Sequence, residues 1–214
     1  MGVDRDQADR FLGRERSEPL LDLAGREDWR ELPLVTIDPA DAKDHDDAVH
    51  AAPDDDPKNR GGHVISVAIA DVAHYVRPGS VLDREALVRG NSVYFPDRVV
   101  PMLPERISND LCSLRANEDR AALAVRMIIG RDGRKRSHTF HRVLMRSAAK
   151  LNYQQAQAAI SGRADDVAGP LVDNVLKPLY AAYETLQKAR DACASRGLAQ
   201  AAARHHRSPG RQRS

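Results

Sequence analysis

The chain has 214 residues, 42% hydrophobic, 30% charged and 4% aromatic, which suits one soluble domain with a core large enough to need neither disulfides nor a structural metal. Its uninterrupted apolar stretches, such as Val67–Ala70, run only a few residues, far short of the roughly 20 that a membrane span needs. Lys and Arg number 33 against 31 Asp and Glu, a net charge of +2 that taken alone favours no class of partner.

Residues 1–32 are dense in charge, with apolar residues scattered at Phe11, Leu12, Leu20, Leu21 and Leu23. They read as a charged helical lead-in that stops at Pro33. Leu34–Ile37 is a short β-prone run ending at Asp38, and Ala48–Ala51 resumes a strand. Between Pro53 and Gly62 the prolines, aspartates and glycines spell a surface loop. His63–Asp71 is β-branched on both faces, the pattern of a buried central strand. Val81–Arg89 reads as a short helix started by Ser80, and residues 91–120, with Pro96, Pro101 and Pro104, read mostly as loop. Ala121–Ile129 and Phe140–Leu144 flank Arg131-Asp132-Gly133, whose Asp-Gly is a hairpin signal. From Asn152 the pattern turns helical: Tyr153–Ile160, then Val167–Ala194 with a break or kink at Pro178. No repeat of fixed period is present.

Charge is unevenly placed. Residues 196–214 hold five arginines and no acid, so the first 195 residues carry a net −3. Residues 38–56 hold eight aspartates against one base, Lys43. The two cysteines, Cys112 and Cys193, match no metal spacing and suit a reducing compartment, and no apolar signal region lies near Met1. A cytoplasmic location is expected.

The densest information lies in Thr36–Val49, where Asp38, Asp41, Asp44, Asp46 and Asp47 fall within ten residues. A solvated acidic loop is the bland explanation. Ile37, Ala48 and Val49 bracket the cluster, however, and draw it toward the protein body. Two carboxylates about 4 Å apart repel by roughly 4 kcal/mol at an effective dielectric of 20, so such a cluster protonates, splays or binds cations. Oxygen-only ligands suit a hard divalent ion, and Mg²⁺ is the usual choice when phosphate completes the shell. An EF-hand starting at Asp44 fails, because Ala48 and Val49 stand where an acid or Asn and then Gly are needed. Zinc is disfavoured because His45 and His50 have no cysteine partners in tetrahedral spacing. Clustered aspartates without a nearby nucleophilic Ser or Cys suit metal-assisted phosphodiester hydrolysis.

Taken with Ala68–Ala73 (AIADVA), Asn91–Pro96 (NSVYFP), Val100–Pro104 (VPMLP) and Ser108–Leu114 (SNDLCSL), the Thr36–Val49 segment closely resembles the catalytic (RNB) domain of the RNase II/RNase R exoribonucleases, its bacterial RNase R branch above all. The likeness runs from about Arg26 to Arg190, in several blocks in the right order. It implies an α+β fold with a mixed, largely antiparallel β-sheet flanked by helices. It also implies a Mg²⁺-dependent 3′→5′ exoribonuclease that hydrolyses single-stranded RNA to nucleoside 5′-monophosphates, with no membrane partner and no other cofactor. The family's four catalytic aspartates fall on Asp38, Asp44, Asp46 and Asp47. By the resemblance, Asp38 and Asp47 are direct metal ligands, Asp44 orients a ligand or water, and Asp46 helps hold a second ion and the attacking water. Asp41 lies outside the quartet. Tyr94 matches the tyrosine that contacts the RNA 3′ end, and Tyr153 the one that packs on the terminal nucleotides, where base stacking contributes about 1–3 kcal/mol per base. Without the family, the favoured reading of either tyrosine is a core residue with a bonded hydroxyl.

The chain departs from the family in places. His45 stands where the family usually has Phe and reads as a spacer or buried polar group rather than a ligand, and Pro39-Ala40 replaces a more typical Gly-Glu. Full-length members carry N-terminal cold-shock domains, a C-terminal S1 domain and a second half of the catalytic domain with a phosphate-steadying arginine; none is recognisable here. The expected organisation is a lead-in at 1–32, the N-terminal portion of the catalytic domain at 33–192, and a basic, disordered tail at 193–214. Back-translated with a one-nucleotide shift, His205–Arg213 spells Ile-Ile-Ala-Arg-Pro-Asp-Gly-Ser, which resembles the family's next hairpin. The tail is therefore expected to be out of frame from about Cys193, and the chain to be a truncated fragment with at most weak RNA binding if the missing half is required.

Overall fold

The structure, a computed structural model, describes residues 25–205. Its strands are β1 (Glu27–Trp29), β2 (Val35–Asp38), β3 (Asp47–Pro53), β4 (His63–Ala70), β5 (Val93–Tyr94), β6 (Val99–Val100), β7 (Asp119–Ile129), β8 (Lys135–Arg146) and β9 (Ala149–Asn152). Its helices are α1 (Val72–Tyr75), α2 (Val81–Arg89), α3 (Tyr153–Ile160) and α4 (Lys177–His205). Seven strands form one sheet in the order β1-β8-β7-β4-β3-β2-β9, and β5 and β6 pair separately. The outer pairs β1–β8 and β2–β9 are parallel and the four inner ones antiparallel. This is the mixed, largely antiparallel α+β architecture that the sequence implies.

β4 lies at the middle of the sheet, paired along its length with β3 and β7, as its β-branched run predicts. One face of the sheet is lined by small residues, Ala48, Ala68, Ala122 and Ala124, which let Leu82, Ile107, Cys112 and Leu114 pack closely against it. On the opposite face Ala51, Ile65 and Ile129 meet Leu179, Ala182 and Leu186 of α4. A third cluster, with Val35, Leu151, Ala159, Val175 and Leu176, packs the β2–β9 edge against α3 and the turns before α4.

Local signals place several elements as expected. Ser80 caps α2 by accepting from the Asp83 backbone N–H at 3.2 Å, and Gly133, at φ +72°, closes the β7–β8 hairpin. A Cβ at Gly133 would lie 2.4 Å from the Ala189 Cβ of α4, so the tight turn also seats the long helix.

Three expectations need correction. Within the expected helical lead-in, residues 1–24 lie outside the described residues, but Glu27–Trp29 is a strand. Tertiary contacts override the local charge pattern there: Trp29 is buried opposite Met145 in β8, with the Arg126 guanidinium 4.8 Å from its ring centroid. Pro178 marks the expected break, where the Val172–Leu176 turn gives way to α4 at Lys177. It occupies the first turn of α4, where its missing N–H costs nothing, and the preceding Gly169–Leu171 and Val172–Leu176 form a 3-10 turn and a wider π-type turn. The 91–120 segment, read mostly as loop, also holds the β5–β6 pair and a π-type turn at Ile107–Leu111. At the far end, α4 continues through Cys193 to His205, into the stretch expected to lack order, and residues 206–214 lie outside the described residues.

Candidate active site

The acidic segment connects β2 to β3 and is held at both ends. Asp38, last in β2, faces Asn152, last in β9, across the parallel ladder, and Asp47, first in β3, faces Ile69 of β4. Between them the chain turns through the Ala42 N–H bonded to the Pro39 carbonyl, and Lys150 Nζ reaches the Ala42 carbonyl at 3.5 Å. The Ala70 N–H donates to the Asp46 carbonyl at 3.0 Å and the Leu114 N–H to the His45 carbonyl at 2.8 Å. Ser113, fully buried, accepts the His45 N–H on its hydroxyl at 3.2 Å. The Ser108–Leu114 motif thus props the acidic loop from beneath.

This arrangement brings the four sequence-predicted aspartates together. Burial, followed by the charges of Asp44, Asp47 and Asp38, pushes the Asp46 carboxyl above the ordinary aspartate range. Burial and the Asp38 charge do the same to Asp47. Asp41 is exposed at the outside of the loop. Crowded carboxylates that resist ionising are relieved by a cation, and an all-oxygen donor set suits Mg²⁺, which is held through one or two carboxylates plus water and phosphate. Among the described residues no three His, Cys, Asp or Glu side chains form a ready-made metal cage. The donor chemistry of Asp38, Asp44, Asp46 and Asp47 would suit a hard ion completed by water and phosphate.

The tyrosines are placed differently. Tyr153 begins α3 directly after Asn152, the residue opposite Asp38, and its side chain is 57% exposed. An Asn152–Gln155 capping box fixes that start, Asn152 Oδ1 accepting from the Gln155 N–H at 2.8 Å and Gln155 Oε1 from the Asn152 N–H at 2.9 Å. Tyr94 sits in the β5–β6 hairpin, outside the main sheet, and is 69% exposed. That hairpin is tied at its base by the Met102 N–H to Ser92 Oγ at 3.0 Å and by Arg89 to the Pro101 carbonyl at 3.3 Å. Neither tyrosine is a core residue.

Sequence reasoning missed two features. His45, expected only as a spacer or buried polar group, is bonded through Nδ1 to Asp38 Oδ2 at 2.9 Å. Asp71, at the end of β4, is buried between Arg26 at 2.7 Å and Arg142 at 3.0 Å. The first arises only when the loop folds back to bring Asp38 to His45; the second joins three distant segments and has no local signature.

Known proteins share this sequence and fold. The RNB domain profile matches residues 26–207. The chain belongs to the RNB family. Its match extends beyond residue 192, where the sequence reading ends the catalytic portion. The RNB chain is 48% identical over 169 residues to ribonuclease R of Vibrio parahaemolyticus and 46% identical over 170 residues to that of Escherichia coli. Each alignment covers 78% of this chain and 20% of the relative, so the chain spans about one fifth of the length of these curated relatives. Among solved structures, Mycoplasma genitalium RNase R in complex with ribose-methylated single-stranded RNA superposes with a TM-score of 0.77 at 30% identity, covering 87% of this chain and 29% of that one. No helix among the described residues is long and apolar enough to cross a membrane.

Proposed function

We propose that this RNB chain carries the metal-binding half of a 3′→5′ exoribonuclease site that hydrolyses single-stranded RNA to nucleoside 5′-monophosphates in the cytoplasm. The observation that carries the reading is the convergence of Asp38, Asp44, Asp46 and Asp47 at the ends of β2 and β3, close enough for their charges to raise the Asp46 carboxyl. The solved Mycoplasma genitalium relative in complex with single-stranded RNA supports the substrate class. Residues 33–192 form the catalytic portion in this reading.

Asp38 and Asp47 present carboxylate oxygens from two strand ends to a divalent ion, Mg²⁺ by the chemistry of the donors. Asp44 would orient a ligand or water, and Asp46 would help hold a second ion and the attacking water. When bound, the ion supplies a more acidic water and steadies the leaving oxygen. Tyr94 and Tyr153 offer exposed rings to the 3′-terminal nucleotides, a stacking mode tolerant of any base.

One observation favours a second reading, a catalytically inactive fragment that binds RNA weakly. α4 covers only the far part of the sheet face that ends at Asp47, and the part near Asp47 is apolar and exposed: Ile69 and Leu123, paired across β4 and β7, are 54% and 49% exposed, and Phe140, opposite Val125, is 69% exposed. The two readings separate on 5′-labelled single-stranded RNA incubated with the chain and Mg²⁺. A ladder shortening from the 3′ end, abolished by Asp46→Asn, supports hydrolysis; intact RNA beside a cooperative melting transition supports the inactive fragment.

A further inference from the structure

We propose that His45 is a positioning residue that restricts Asp38 to a single metal-facing oxygen and thereby biases the aspartate site toward Mg²⁺ over Ca²⁺. The inference rests on the reading of Asp38 as a metal ligand. The His45 ring is buried, and its side chain is 4% exposed against 16% for that of Asp38. Nδ1 lies 2.9 Å from Asp38 Oδ2. An ionised carboxylate only accepts hydrogen bonds, so the proton is assigned to Nδ1 and the imidazole is the donor.

The donor itself cannot drift. The His45 N–H is bonded to the Ser113 hydroxyl and its carbonyl to the Leu114 N–H. The acceptor is equally fixed, because Asp38 closes the parallel β2–β9 ladder opposite Asn152. With both backbones pinned, the hydrogen bond sets the rotation of the carboxylate and occupies one lone-pair site of Oδ2, which disfavours chelation of one ion through both oxygens. Oδ1 is left as the free ligand atom. A carboxylate so restrained binds through one oxygen, the mode that suits the octahedral shell of Mg²⁺ with its short bonds of about 2.0–2.1 Å. Ca²⁺ takes 6–8 oxygens at about 2.3–2.6 Å and gains from carboxylates that offer both. Groups that orient a metal ligand from behind typically change metal affinity 10–100-fold when removed.

The test is calorimetric titration of the full chain with Mg²⁺ alone and with Ca²⁺ alone, in wild type, His45→Phe and His45→Asn. Phe keeps a ring of similar size and removes the donor; the Asn amide nitrogen stands at the same bond separation from Cβ as Nδ1 and keeps it. The wild-type chain binds Mg²⁺ more tightly than Ca²⁺. His45→Phe is expected to lower the Mg²⁺/Ca²⁺ affinity ratio about tenfold, while His45→Asn stays within about threefold of wild type, a rescue that loss of packing alone does not give. A folded His45→Phe variant with the wild-type ratio overturns the proposal. Should that variant fail to melt cooperatively, the His45→Asn and wild-type titrations still decide, because a wild-type chain binding Ca²⁺ as tightly as Mg²⁺ overturns it too. Absence of any saturable binding, in wild type as in Asp46→Asn, instead overturns the metal reading and this inference with it.

Discussion

Asp38 and Asn152 face each other across the parallel β2–β9 pair. That single register places the first aspartate of the acidic loop beside the cap of α3, and so beside Tyr153. A carboxylate of the acidic cluster and an exposed aromatic, far apart in sequence, share one strand edge because Val35–Asp38 and Ala149–Asn152 pair residue for residue. Nothing in the local sequence of either strand demands that partner; the shared Val35, Leu151 and Ala159 core does.

The cap itself is testable. Replacing Asn152 by Ala removes the acceptor for the Gln155 N–H and is expected to cost about 1 kcal/mol of stability. Urea denaturation followed by circular dichroism measures the loss. A matching fall in RNA affinity is expected, because the first turn of α3 carries Tyr153.

Asp71 makes the stability of the fold depend on pH. Burial raises its carboxyl pKa, but the hydrogen bonds from Arg26 and Arg142 outweigh burial, and the net shift is downward. A depressed folded value contributes stability that is complete above the ordinary aspartate pKa, about 3.9, and lost as pH falls through the folded value. Asp71→Asn leaves Arg26 buried without its counter-charge and is expected to cost about 3 kcal/mol at neutral pH. The gap between variant and wild type narrows below about pH 4. Denaturant melts across a pH series check both.

The hairpin tip gives a backbone prediction. Gly133 sits at φ +72°, and an added Cβ would also meet the Thr185 carbonyl of α4 at 2.6 Å. Gly133→Ala is expected to destabilise by more than about 1 kcal/mol, measured by thermal melting. Gly79→Ala, at φ +75° with no atom within 4 Å of the added Cβ, involves the φ penalty alone and is expected to cost less.

The two cysteines report on packing. Cys112 is buried, and burial, then the charges of Asp46 and Asp71, push its thiol up to about 12. Cys193 is exposed. A thiol reagent at pH 8 is expected to label Cys193 alone in the native chain and both residues in denaturant, read by mass spectrometry of the labelled peptides.

Much of the architecture was legible in the residues. The β-branched run at His63–Asp71 announced the central strand, Ser80 announced a helix start, and Asp132-Gly133 announced the hairpin. The aspartate cluster was legible as a site because its apolar brackets drew it inward. What stayed hidden depends on long-range contacts. Glu27–Trp29 looks like a solvated turn until β8 buries Trp29, and the Arg26–Asp71–Arg142 bridge exists only once β4, β8 and the lead-in meet. His45 read as a spacer because its partner, Asp38, comes within bonding distance only when the loop folds back.

The central claim is that the four aspartates serve RNA hydrolysis with a divalent ion. Its most direct measurement is the release of nucleoside 5′-monophosphates from single-stranded RNA, resolved by chromatography, with the wild-type chain and Asp46→Asn in Mg²⁺ and in excess chelator. Mononucleotide release from the 3′ end by the wild-type chain in Mg²⁺ alone, lost in the variant and in chelator, is the predicted result. Intact RNA from a cooperatively folded wild-type chain in Mg²⁺, or release that survives Asp46→Asn, contradicts it.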